Sequence, residues 1–487
     1  MSSTQRLPAG VLLVFALIAS SVALQGRRAL WEPDEGRYVQ VALEMLRSGD
    51  WLHPALHPEQ PHYTKPPMTY WAIASAVGLF GRHEWAVRLP ANLAFLLTLA
   101  LVALIARRLG GGGWRAALVY GTCLLPFLAR NIVTTDSLLT FFETAGMAGL
   151  IGAATAGAPD ARRLWSVLGW AAFGLAFLTK GPPALLPLLG LAAWAGLGRR
   201  GWNWLIDPLG LVVFLTTALS WFAVVVIGQP ALLGYFLWDE VAARLLSAGH
   251  DRNPQWYGPL KVYLPALLAG TLPWTWILLR RGWRQARSLA RQGLGPWARR
   301  TDTDLLLLAW FLLPLLVFSL SRSRLHLYVL PLLVPAALWI ERGLGKGFPS
   351  GLAQGALAAW TVAIASLFVF SANHGGDRDD RLMARWIERT VPAGVEELVF
   401  LDGPPAWGLS FYLDLQVRRG PDHEKDPRAL AQWMRSLEQR SPLARAWIAS
   451  PVHRRLVAEA AVQLGCRAEN RGAFGRWSAH TITCPGP

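Results

Sequence analysis

The sequence predicts a polytopic α-helical membrane protein, with about eleven spans followed by a small C-terminal α/β domain. Three observations lead there. Of 487 residues, 53% are hydrophobic and 16% charged, whereas a soluble domain carries roughly a quarter charged residues. The apolar residues fall in long runs whose ends collect many of the 25 tryptophans, and amphipathic rings prefer the headgroup level. Beyond residue 371 the pattern changes to short segments of helical and strand periodicity.

The runs lie near 9–26, 85–106, 114–130, 136–156, 164–180, 182–198, 205–227, 261–280, 303–320, 325–341 and 350–371. The first is too long for a signal peptide and precedes no A-x-A cleavage site, so it reads as a span. The formal charge of +16 invites a nucleic-acid reading, but the arginines sit in short loops between apolar runs. With a cytoplasmic N-terminus, one side receives Arg107, Arg108 and Arg115, then Arg162 and Arg163, then Arg199 and Arg200, then RRGWRQARSLARQ at 280–292, then Arg342 and Lys346. Basic short loops belong inside, and one starting choice satisfies all of them. This predicts a multi-pass inner-membrane protein with membrane lipids, not nucleic acid, as its surroundings.

A transmembrane domain of residues 1–371 is then expected, with a first periplasmic loop at 27–84, and a periplasmic α/β domain at 372–487. In the tail, DRLMARWIER and DPRALAQWMRSLEQR read as helices, and EELVFL and ARAWIAS as strands. Cys123 lies in an apolar run and reads as a small buried hydrophobe. Cys466 and Cys484 lie in the polar tail, where an extracytoplasmic location would allow them to pair.

The candidate site residues all fall on the expected outer face. The first loop opens with Trp31-Glu32-Pro33-Asp34-Glu35-Gly36-Arg37-Tyr38, two adjacent carboxylates ahead of an amphipathic helix. Asp34 reads either as a helix N-cap or as a catalytic carboxylate, with Glu35 beside it. Arg37, Tyr63 and Lys65 are candidate substrate contacts in the same loop; Lys65 suits either an interfacial anchor or a point charge for phosphate. Asp136 in NIVTTDSLLTFF is a cap or a second catalytic acid, and Lys180 in LTKGPP a helix-end cation or a ligand contact. The loop 228–260 mixes Asp239, Glu240, Arg244, His250, Asp251 and Arg252, which suits an anionic ligand or a metal, though its spacing matches no standard metal motif. Arg322, Arg324, His326 and Tyr328 open the run SRSRLHLYVLP, either an interfacial collar or a set of phosphate donors. Six elements on one face, placed there by an independent charge argument, favour a site over a set of caps.

DEGRYVQVALEMLRSGDW followed by YTKPPMTYW resembles the first periplasmic loop of the aminoarabinose-transferase-like enzymes, GT-C membrane glycosyltransferases related to protein O-mannosyltransferases. NIVTTDSLLTFF, LTKGP, HDRNPQWYGPLKVYLPALLAGTLPW and SRLHLYVLP resemble later blocks of that family in the same order, over roughly residues 28 to 340. The resemblance implies a GT-C bundle, an undecaprenyl-phosphate-linked sugar as donor, and inverting transfer to a periplasmic acceptor such as lipid A, another glycan, a lipid or a protein. It implies Asp34 as catalytic aspartate, Asp136 as second acid, and Lys65 and Tyr328 at the lipid phosphate, with His250 and Arg252 in the later loop. Those enzymes carry an acid before the lysine where this chain has Thr64. No cofactor is therefore called for, and a divalent metal stays open.

Two rival readings remain. A transporter or flippase of an anionic lipid-linked sugar should carry ionisable groups near the bilayer midplane, whereas these lie at one edge. A binding module on a membrane anchor needs far fewer spans.

Overall fold

The computed structural model describes residues 18–484, apart from 21, 199–200, 243–251, 345–350, 402, 422–425 and 452. Most of the first apolar run lies outside the described residues, as do Arg199, Arg200, Arg244, His250, Asp251 and Lys346. In chain order come α1 (Asp34–Ser48), a hairpin of β1 (Ala55–His57) and β2 (Gln60–Pro61), then helices α2 (Glu84–Arg108), α3 (Thr135–Thr155), α4 (Pro159–Lys180) and α5 (Pro208–Gly228). They continue as α6 (Gly258–Gly270), α7 (Thr275–Gln292), α8 (Asp302–Leu320), α9 (Leu333–Glu341) and α10 (Gly351–Ala372). The chain forms two compact units: residues 64–69 and 88–368 with the N-terminal segment, and residues 26–63, 70–87 and 369–487.

The first unit is helical. Among the described residues α2, α3, α5, α8 and α10 are long and apolar enough to cross a membrane, and α6 with α7 makes a sixth candidate bent by 111°. Other apolar runs are broken where proline removes a backbone donor. Run 114–130 divides at Cys123 into Gly113–Thr122 and Leu124–Ala129, and Pro182-Pro183 opens run 182–198 with a 3-10 turn ahead of the helix Pro187–Leu197. The α3–α4 hairpin is tight because its facing residues are small. A Cβ on Gly149 would overlap Gly169, and one on Gly152 would overlap Trp165; such glycines let helices in lipid approach closely. Being antiparallel, the hairpin sets the start of α3 beside the end of α4.

The second unit adds α11 (Asp380–Thr390), β3 (Glu397–Leu401), β4 (Gln416–Arg419), α12 (Pro427–Arg440), β5 (Arg445–Ala449), α13 (His453–Gln463), β6 (Arg467–Phe474) and β7 (Trp477–Thr483). The sheet order is β4-β3-β5-β7-β6. β3 lies parallel to β4 and β5, with Phe400 opposite Ile448, and β7 is antiparallel to β5 and β6. Alternation sends Leu398, Phe400 and Ile448 to a core under α11, and Val399, Leu401 and Trp447 to one under α12 and α13. A disulfide joins Cys466 to Cys484, and Cys123 is buried and free.

The hairpin of the first loop is fastened to this sheet. Glu397, fully buried, accepts bonds from Arg418 Nε at 2.7 Å and Arg445 Nε at 2.5 Å, with His57 Nε2 3.3 Å away. His57 Nε2 also lies 3.0 Å from Gln416 Oε1, and Arg418 Nη1 donates to Glu59 at 3.0 Å. Burial pushes the Glu397 carboxyl up, but the bonds from His57, Arg418 and Arg445 outweigh it and hold the pKa down at about 2.

Candidate active site

At the start of α1 the three acids of the WEPDEGR turn have different surroundings. Glu35 is enclosed: its Oε1 accepts from Arg28 at 2.7 Å and its Oε2 from the Trp31 N–H at 3.0 Å, while Arg28 stacks over the Trp31 ring at 4.2 Å. Expected as a catalytic acid, it is placed instead as an internal strut of the turn. Glu32 accepts from the Gly408 N–H at 3.0 Å and lies beside Asp380, which is 2% exposed. Two buried carboxyls in contact cannot both ionise without large cost. Burial raises both, Glu32 to about 7 and Asp380 well above its ordinary value; the neighbouring Glu32 raises Asp380 further, whereas the Gly408 N–H and Asp380 pull Glu32 back down. A Cβ on Gly36 would overlap Glu32, and one on Gly408 would overlap Asp380, so both positions require glycine for space.

Asp34 keeps the accessible carboxylate. It sits in the first turn of α1, where the N-cap position belongs to Pro33 and no side chain caps; the cap reading therefore does not apply. The helix dipole favours its charge. Its side chain is 49% exposed and pairs with Arg37 at 2.7 Å. Tyr63, in the same unit, is buried; burial and the Asp50 charge hold its phenol above the usual range, so it stays a neutral donor.

The helical unit brings Asp136, Lys180 and Tyr328 together. Thr134 caps α3 by accepting from the Asp136 N–H at 3.4 Å, which again frees the acid from a capping role. Asp136 and Lys180 form an ion pair with side chains 8% and 10% exposed. The Lys180 ammonium lies 4.3 Å from the Tyr328 ring centroid, a cation–π contact strengthened by exclusion of water. Glu143 is buried seven residues along α3 from Asp136, two turns deeper on the same face. The sequence signal for it was a lone acid inside FFETAG.

Arg324, expected among the phosphate donors, serves a different end. Its guanidinium donates to the carbonyls of Asn253 at 2.7 Å, Gln255 at 2.9 Å and Ser319 at 2.9 Å, and its N–H donates to the Arg252 carbonyl at 2.8 Å. It thereby fixes the backbone from which the exposed Arg252 side chain projects. Arg322 and His326 are exposed, and Lys65 is half-buried in the helical unit. His250 lies outside the described residues. Among those described, no cluster of three His, Cys, Asp or Glu side chains is placed to hold a metal.

The family described as dolichyl-phosphate-mannose-protein mannosyltransferase matches residues 64–227. An undecaprenyl phosphate-α-4-amino-4-deoxy-L-arabinose arabinosyl transferase of Edwardsiella ictaluri is 34% identical over 69% of this chain and 60% of its own length. One from Pseudomonas fluorescens is 35% identical over 71% and 60%. The chain thus spans about three-fifths of the length of these relatives. The crystal structure of ArnT from Cupriavidus metallidurans bound to undecaprenyl phosphate superposes with a TM-score of 0.74 at 22% identity, covering 96% of this chain and 97% of that one. An oligosaccharyltransferase from Archaeoglobus fulgidus gives 0.53 at 13% identity over 90% and 68%. Fold and helices define a multi-pass membrane protein of the GT-C class. Within that class, the chain belongs to the aminoarabinose-transferase-like family.

Proposed function

We propose that the chain is an inverting glycosyltransferase that moves one sugar from a polyprenyl-phosphate donor to an acceptor at the outer face of the bacterial inner membrane. The carrying observation is the division of labour at the start of α1. Of its three acids, Glu35 is bound to Arg28 and Glu32 to Gly408 and Asp380, while Asp34 keeps an accessible carboxylate. A general base needs that combination of ionised oxygen and open approach. Asp34 takes the acceptor hydroxyl proton as the oxygen attacks the anomeric carbon and the bond to the phosphate breaks.

The leaving group is a phosphate monoester, so a protonating acid is unnecessary. Cations and a phenol suffice for its growing charge, and Lys65, Arg252 and Tyr328 take that role. Asp136 acts on Lys180, holding the ammonium against Tyr328, and Arg37 holds Asp34. The relatives' printed substrates support an undecaprenyl-phosphate donor and an aminoarabinose-like sugar. Orientation follows the basic loops, with the N-terminus cytoplasmic and the domain at 372–487 periplasmic. The disulfide supports this, since such bonds persist in oxidising compartments.

The test is mass spectrometry of envelope lipids and glycans from cells with and without the gene, complemented by wild type or by Asp34→Asn. A species lacking one sugar should be restored by wild type, with Asp34→Asn slower by about a hundredfold to ten-thousandfold. Full restoration by the variant would remove Asp34 as base. A redistributed lipid-linked sugar pool with no altered glycan would replace the transferase by a transporter.

A further inference from the structure

α7 is a basic helix that the proposed chemistry does not use. Its residues divide into three rows. Ile277, Arg281 and Gln285 face the protein: Arg281 Nη2 and Gln285 Nε2 donate to Asp304 in the first turn of α8 at 2.7 Å and 2.6 Å, and Arg281 stacks 5.5 Å from the Trp339 ring near the end of α9. The helix therefore lies across the ends of α8 and α9, after the 111° bend from α6. A second row is apolar and exposed: Trp276 at 71%, Leu279 at 51% and Trp283 at 61%. The third, along its edge, is Arg280, Arg284, Arg287 and Arg291, all exposed, with the Arg287 guanidinium 4.6 Å over the Trp283 ring.

A row of exposed tryptophan and leucine beside a row of four arginines, on a helix lying across the ends of membrane helices, has the composition of an in-plane interfacial helix. The apolar row suits the acyl boundary, and the arginine forks suit phosphate oxygens. We propose that α7 lies in the membrane interface and binds anionic phospholipid headgroups through Arg280, Arg284, Arg287 and Arg291. The apolar row argues for lipid over nucleic acid, which would gain nothing from exposed Trp276 and Leu279.

The experiment uses the purified full chain in zwitterionic detergent, titrated with phosphatidylglycerol or phosphatidylcholine and read by native mass spectrometry. Wild type should prefer phosphatidylglycerol. Changing all four arginines to glutamine should cut that preference by roughly tenfold, since each basic residue near an anionic surface contributes. The four-lysine counterpart, which keeps the charge should the glutamine variant misfold, should retain it. Preference unchanged in the glutamine variant, or lost equally in the lysine variant, would overturn the proposal. So would an oligonucleotide that displaces phosphatidylglycerol at lower concentration than phosphatidylglycerol displaces it.

Discussion

At the β1–β2 hairpin, the first loop meets the C-terminal sheet around Glu397, an anion surrounded by Arg418, Arg445 and His57. At the start of α1 the same loop meets the later chain through Glu32 and Asp380, two neighbouring acids that burial pushes up. Both carboxyl sites are buried and both join residues more than three hundred positions apart. Their titrations run in opposite directions because burial prevails over the few favourable contacts at one and is outweighed by bonds from cations at the other. The difference teaches that burial raises an acid only where its partners leave that effect uncompensated.

Breaking the first site should have the largest effect. Glu397→Gln leaves Arg418 and Arg445 buried with reduced compensation, which costs about 3–5 kcal/mol. Hydrogen exchange of the full chain in detergent should show accelerated exchange at residues 55–61 and 416–419, and native-like protection there would refute the network. Because the folded pKa of Glu397 is depressed to about 2 from 4.5, its contribution is present above pH 4.5 and is lost as pH falls toward 2.

The second site follows the opposite rule. The folded pKa of Glu32 is raised from 4.5 to about 7, so its contribution is full below pH 4.5 and is lost as pH rises through 7, by on the order of 3 kcal/mol. Protection at residues 29–38, taken relative to the intrinsic base-catalysed exchange rate, should fall between pH 5 and 8 in wild type. In Glu32→Gln that fall should shrink, and a fall equal to wild type would show that the Glu32 carboxyl does not govern this turn. The smallest effect belongs to Arg37→Gln. Its ion pair with Asp34 is substantially exposed, so stability should change by less than about 1 kcal/mol, and a larger fall in melting temperature would mean Arg37 is structural.

Much of this was legible in the sequence, and what was not shares a cause. Runs 85–106, 136–156, 164–180, 205–227, 303–320 and 350–371 coincide with single helices, because a helix declares itself in local composition. DRLMARWIER, EELVFL and ARAWIAS coincide with α11, β3 and β5 for the same reason. The bend at 271–274 is sharper than the run 261–280 suggested, although Pro273 marks it. Glu32, Asp380 and Glu397 gave no signal, since their meaning lies in partners distant along the chain. The motif spacing marked Asp34 and Glu35 alike; separating them required Arg28 and the Trp31 N–H.

His57 and Gln416, in hydrogen-bond contact, are 359 positions apart. At ribosomal rates of 5–20 residues per second, the hairpin waits on the order of 20–70 s after its synthesis before the strand that receives it exists. Throughout that interval the helices of the first unit are being made, and Glu59 and His57 stand without Arg418 and Glu397. Assembly of the second unit is thereby tied to synthesis of its sheet: a chain truncated before β4 keeps its β1–β2 hairpin without Gln416 and Arg418.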